Sequence, residues 1–249
     1  MNSWRDADMV AFQNAVLPYM DAAERQMADL TAAYVASASA AIDGGAFRPR
    51  QVDYRQVTGD ALRGTAAREV FMRPQMILNT TLAAGGSLTD AVTAGEKRLR
   101  SLAATNLQLA KTRTAQRYTT TEYYRRVLTG SENCALCVIA STQRYKSSIL
   151  QPIHPGCDCS VEPLGGQPAL VINSSLLETT HAAIERGLKA TDRNAFDLDL
   201  EDIKTDAQGR RISDFTDLIV TRQHGELGPV LTWRNNHFRT PAEARSLAN

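Results

Sequence analysis

Cys134-Ala135-Leu136-Cys137 and His154-Pro155-Gly156-Cys157-Asp158-Cys159 contain every cysteine of the 249-residue chain. A secreted scaffold spreads its bridges over the fold, so four thiols crowded into one segment point to a single local site. Together with His154 they offer five soft ligands. A tetrahedral structural zinc needs four such ligands, and two-residue spacing lets one tight turn present both members of a pair. In the second stretch Pro155 presets φ and Gly156 accepts a positive φ, the signature of a type II turn whose ends are His154 and Cys157. An extended Cys-x-Cys points its side chains to opposite sides, so the spacing leaves open whether Cys157 or Cys159 joins His154, Cys134 and Cys137. Zinc is the favoured reading. Disulfides within the cluster, reduced and packed thiols, or a Cys–His nucleophile and base are the alternatives.

The segment from Thr119 to Leu164 has few apolar residues, and a chain below about 40 to 50 residues normally needs a metal or a disulfide in place of a core. The whole chain, by contrast, is ordinary globular material, 43% hydrophobic and 22% charged, with Gly and Pro together 24 residues. Its formal charge of +1 disfavours binding nucleic acid through a bulk positive field. No stretch approaches the 18 apolar residues of a membrane span, and acids occupy Met1 to Asp8 where a signal peptide needs a basic and then an apolar run, which predicts a soluble product made in the cytoplasm.

Upstream of the cysteines the pattern is helical. Met20, Ala23, Met27, Leu30 and Tyr34 recur at steps of three and four, predicting an amphipathic helix from about Val16 that starts or kinks at Pro18 and stops at Gly44-Gly45. A second helix is expected from Asp60 to Ala83, kinked at Pro74. Ser87 and Asp90 resemble a capping box opening the longest pattern, whose seam is Leu88, Val92, Gly95, Leu99, Leu102, Asn106 and Leu109. A buried Asn in such a seam fixes register. The seam faces either its own bundle or a second chain. Lys97, Arg98, Arg100, Lys111, Arg113, Arg117, Arg125 and Arg126 make this region locally positive: a solvated face, or a contact for an acidic protein or for phosphates, with Arg98, Arg100, Lys111, Arg113 and Arg117 as the candidate contact residues.

Downstream, Asp197 to Asp206 is acidic, but Asp202 stands where a calcium loop needs Gly, which excludes that motif. Leu218 to Val220 and Val230 to Trp233 read as strands of a hairpin across a longer loop, His224 to Pro229, and Asn235-Asn236 is a candidate turn into a third strand. His181 reads as a structural or surface residue of a short helix, His224 as a loop residue and His237 as exposed. The fold expected is mainly α, an elongated helical region with a small Cys/His zinc-type α+β module and a C-terminal β hairpin or meander. The division is 1–118 helical, 119–165 Cys/His module, 166–249 acidic linker and hairpin region.

The ordered combination of Val70-Phe71-Met72-Arg73-Pro74, a long helix around Leu99 to Arg117, Cys-x-x-Cys and His-Pro-Gly-Cys-Asp-Cys resembles the phage Mu F-like minor head proteins, also called phage head morphogenesis proteins. The likeness covers about residues 60 to 165, and the tail from Val220 to Trp233 is similar to versions from phages of actinobacteria. Members often carry Arg between the last two cysteines, where this chain has Asp158. The resemblance implies a low-copy virion protein in the capsid interior or at the portal vertex. Its partner would be the portal protein, with the major capsid protein and packaged DNA as further candidates, and its task head assembly, DNA packaging or ejection, in one or several copies at the portal. Some members of that family are capsid maturation proteases. This chain has no Gly-x-Ser-x-Gly, no His-Glu-x-x-His and no phosphate-binding glycine loop, which favours a non-enzymatic role. A DNA-contacting zinc module is the other alternative, but the residues from Val138 to Pro152 fit a base-reading helix poorly.

Overall fold

A computed structural model describes residues 6–48, 50–129, 135–153, 157, 159–166, 172–178, 219–224 and 228–233. The chain is mainly α-helical, with small antiparallel sheets toward its C-terminal part. It divides into two compact units, one of residues 1–36 and 48–118, the other of residues 37–47 and 119–249.

Two long helices dominate: α1, Asp6–Asp43 (38 residues), and α4, Leu88–Tyr118 (31 residues). α1 begins ten residues before the expected Val16 and continues through Pro18, which is exposed on its outer side. The stretch expected to be one kinked helix from Asp60 is instead broken into a 3-10 turn, Gly59–Leu62, a single turn α2, Ala67–Val70, and α3, Arg73–Ala83. Pro74 does not kink a helix here. It occupies the first turn of α3, where a missing N–H costs nothing.

The first unit buries Val70, Phe71 and Leu102 against Val16, Leu17, Met20 and Leu99, and separately Ala28, Ala32, Val52 and Val57 against Tyr54 and Tyr118. α3 and α4 approach closely at Gly95, where a Cβ would stand 3.1 Å from the Pro74 carbonyl oxygen. The Ser87–Asp90 capping box forms as expected: the Asp90 N–H donates to Ser87 Oγ (3.1 Å) and the Ser87 hydroxyl donates to the Asp90 carboxylate (2.6 Å). In the α4 seam Gly95, Leu102, Asn106 and Leu109 are buried, Val92 and Leu99 are half-buried, and Leu88, at the first turn, is 49% exposed.

The α1 stripe needs correction. Leu30 is 62% and Tyr34 44% exposed, while the inward face carries Met9, Gln13, Glu24, Ala28, Thr31, Ala32 and Val35. The true face is rotated from the apolar stripe because polar partners await it. The Gly59 N–H (2.7 Å) and the Asn106 amide (2.8 Å) both donate to the Glu24 carboxylate, and Gln13 donates to the Arg68 carbonyl (2.7 Å). A buried carboxylate is tolerated only when it is so satisfied.

In the second unit β1, Tyr123–Val127, lies between β2, Arg144–Lys146, and β3, Ser160–Leu164, all antiparallel, with α5, Ala135–Ser141, between β1 and β2 in sequence. Strand alternation sends Tyr124 and Arg126 inward and Arg125 outward. Tyr124 stacks on Tyr145 with ring centroids 5.4 Å apart, and Arg125 pairs with its cross-strand neighbour Glu162 at 2.6 Å. A Cβ on Gly165 would overlap the Ile42 side chain near the end of α1, so a larger residue there requires that side chain to move.

The hairpin pairs β4, Ile219–His224, with β5, Gly228–Trp233. It is tighter than the sequence suggests: His224 is the last residue of β4, opposite Gly228, and not part of the loop. Pro229 is accommodated in this two-stranded sheet because, among the described residues, neither strand has a second neighbouring strand that would need its N–H. The Leu231 N–H donates to the Pro152 carbonyl (3.0 Å), so the hairpin adjoins the chain that leads to the cysteines. The acidic stretch from Asp197 to Asp206, the candidate turn at Asn235-Asn236, His181 and His237 lie outside the described residues. Among the described residues no helix is long and apolar enough to cross a membrane.

Candidate metal centre

Two chain segments deliver three sulfurs to one point. α5 carries Cys137, fully buried at 1% exposure, on a helix whose Leu136, Ile139 and Ala140 are buried with it. Cys159 directly precedes β3 and is also buried, and Cys157, two residues earlier, is half-buried. Cys137 Sγ and Cys159 Sγ each lie 3.1 Å from Cys157 Sγ, and all three sulfurs fall within 4.8 Å of one another. These separations exceed the about 2.0 Å of a disulfide, so no disulfide joins these three sulfurs to one another. Three cysteines this close can hold a metal ion.

The donor set suits one. Bonds of about 2.3 Å at tetrahedral angles place thiolate sulfurs about 3.8 Å apart. Two edges of the observed triangle, at 3.1 Å, are shorter than that spacing, and the third is at most 4.8 Å. The structure places both Cys157 and Cys159 beside Cys137, although an extended Cys-x-Cys would have separated them. β3 begins only at Ser160, so Cys157 and Cys159 lie outside the alternation that a ladder imposes. Cys134 and His154, with the turn at Pro155-Gly156, lie outside the described residues.

A residue of different character completes the surroundings. Arg126, inward on β1 and only 3% exposed, donates from Nη1 to Cys159 Sγ (3.5 Å) and from Nη2 to the Gln151 carbonyl, and its guanidinium stands 6.0 Å from the Tyr124 ring centre. Thiol hydrogen bonds from Cys137 and Cys157, together with the Arg126 charge, hold the Cys159 thiol far below its ordinary range. Burial opposes the charge on Arg126, but Cys159, Tyr124 and Cys157 together with the hydrogen bond to Cys159 outweigh it, so the guanidinium stays cationic. Burial also pushes the Tyr124 phenol up to about 12.

Sequence reading counted Arg126 within the basic run and missed its place. The signal lay in Tyr123-Tyr124-Arg125-Arg126-Val127, where strand alternation separates the two arginines, but that reading requires knowing that this stretch is a strand. The other basic residues share no single face. Arg100 is exposed and stands 3.7 Å from Glu96, Arg117 is exposed, Arg98 and Lys111 are half-buried, and Arg113 is half-buried with Nη2 donating toward the Leu62 carbonyl (3.5 Å). Comparison with known proteins gives no match to a family model, to a curated protein or to a solved structure.

Proposed function

We propose that Cys137, Cys157 and Cys159 hold a structural zinc ion whose fourth ligand is Cys134 or His154, and that the protein is a non-enzymatic minor capsid component acting at the portal vertex. One observation carries the first half: three thiols from two separate chain segments converge within 4.8 Å without a disulfide between them. Zinc suits this donor set because it takes thiolate and imidazole in tetrahedral sites and does no redox chemistry. Bound there, it would tie α5 to the approach to β3 and so cross-link a unit whose sheet is only three strands of three to five residues. Four protein ligands close the shell and leave no position for substrate, which favours a structural over a catalytic metal.

The virion role is supported by the resemblance carried by Val70 to Pro74, the long helix and the Cys/His order, and by a build of long helices with a cross-linked sheet module. Portal protein is the proposed partner. Metal analysis of the full chain purified without chelator should find one zinc per chain, lost in Cys137→Ser. Absence of metal, or a disulfide joining two of these cysteines in the native protein, overturns the metal assignment. Co-purification with the portal protein of the same phage, together with recovery in intact particles, tests the virion assignment. Cleavage of the major capsid protein by the purified chain would replace it with the protease reading.

A further inference from the structure

We infer that Arg126 is the electrostatic half of the cysteine site, a positioning residue whose fixed positive charge sets how tightly the three thiolates hold their ion. This rests on the metal reading given above. A guanidinium at 3% exposure is expensive unless an opposite charge accompanies it. Among the described residues the partners of Arg126 are the sulfur of Cys159, the Gln151 carbonyl and the Tyr124 ring, and no carboxylate is among these. Its Nε finds no acceptor among the described residues. The negative charge that Arg126 meets there is that of the sulfurs.

Three thiolates around a divalent ion leave a net negative charge whether Cys134 or His154 completes the shell, so the ion-loaded cluster and the buried Arg126 offset each other's charge. The same contact orders the ligand. Arg126 sits opposite Val161 in the β1–β3 ladder, two residues beyond Cys159, and its second arm holds the Gln151 carbonyl, three residues before His154 in sequence. One side chain thus braces both approaches to the second ligand pair. Partners that orient metal ligands in this way commonly account for a 10- to 100-fold change in metal affinity.

The test uses the full chain. Zinc affinity is measured by competition with a chelator of known affinity, and the thiolate-to-metal charge-transfer band is recorded with cobalt(II) in place of zinc, for the parent protein, Arg126→Met, Arg126→Lys and Arg125→Met. Arg126→Met should weaken zinc by about 10- to 100-fold. It should also move the cobalt band to longer wavelength, because thiolates without a neighbouring cation give up electron density more easily. Arg126→Lys should stay within a few-fold of the parent, and Arg125→Met should match it. If Arg126→Met does not fold, Arg126→Gln, neutral but still a donor toward the Gln151 carbonyl, carries the same comparison. Parent-like affinity and an unmoved band in the neutral variant overturn the role of Arg126 while leaving the metal site standing. A Lys variant as weak as the neutral one overturns charge as the cause. A parent chain that takes up neither ion removes both proposals.

Discussion

Glu24 on α1 and Asn106 on α4, 82 positions apart in sequence, meet through a buried 2.8 Å hydrogen bond from the Asn106 amide to the Glu24 carboxylate. Asn106 in turn accepts from Arg63 Nε (2.8 Å), and the other Glu24 oxygen accepts from the Gly59 N–H (2.7 Å). One carboxylate thus joins both long helices to the turn between them. Asn106→Leu, which strands polar groups on both sides, should cost about 2–3 kcal/mol, read from the midpoint of urea denaturation.

Burial of Glu24 raises its pKa above the ordinary 4.5, against the opposing hydrogen bonds from Gly59 and Asn106. Between 4.5 and the raised folded value, the native protein keeps a proton that the unfolded chain has released. Unfolding free energy therefore falls as pH rises through that window. Glu24→Gln should lower stability by losing an acceptor and should also flatten this slope. Denaturation curves collected from acid to neutral pH check it, and an unchanged slope in the variant would assign the dependence to another group.

The orientation of α1 is open to a pair of substitutions. Leu30, 62% exposed, should accept Lys with a change of no more than about 0.5 kcal/mol. Ala28, at 0% exposure between α1 and the Val52–Val57 segment, should lose about 1–3 kcal/mol on replacement by Leu because the space is already filled. Thermal unfolding of the two variants would give the reverse order if the apolar stripe faced inward.

At the start of α4, Ser87→Ala removes the acceptor of the Asp90 N–H and should cost about 1 kcal/mol. Asp90→Asn should cost less, since the amide still accepts from the Ser87 hydroxyl. Circular dichroism melts resolve the two.

Chelation offers a fifth check. With zinc held at a thousand times its dissociation constant, native-state binding adds about 4 kcal/mol, so a chelator should lower the apparent melting temperature of the second unit. Cys137→Ser should already melt low and no longer respond. A melt indifferent to chelator in the parent protein would contradict the metal assignment.

Much of the helical part was legible because its signals are local. The capping box depends on Ser87 and Asp90 alone, and the α4 seam recurs at a helical step from Gly95 to Leu109. α1 misled because the same periodicity fits two adjacent faces, and apolarity chose the outer one. Nothing near Glu24 in sequence announces Gly59 or Asn106. The cysteines were legible as a cluster from their crowding, since few other structures require thiols at turn spacing.

By itself the sequence determined that the chain is mainly helical, where α4 begins, and that sulfur chemistry is confined to one short segment. All of these follow from residue spacing over a few turns or from composition. Only tertiary structure decided which face of α1 is inside, that Cys157 and Cys159 both meet Cys137, and that of two adjacent arginines Arg125 pairs at the surface while Arg126 is buried against sulfur. Burial of a charge depends on what distant segments supply to offset it, and no local pattern carries that information.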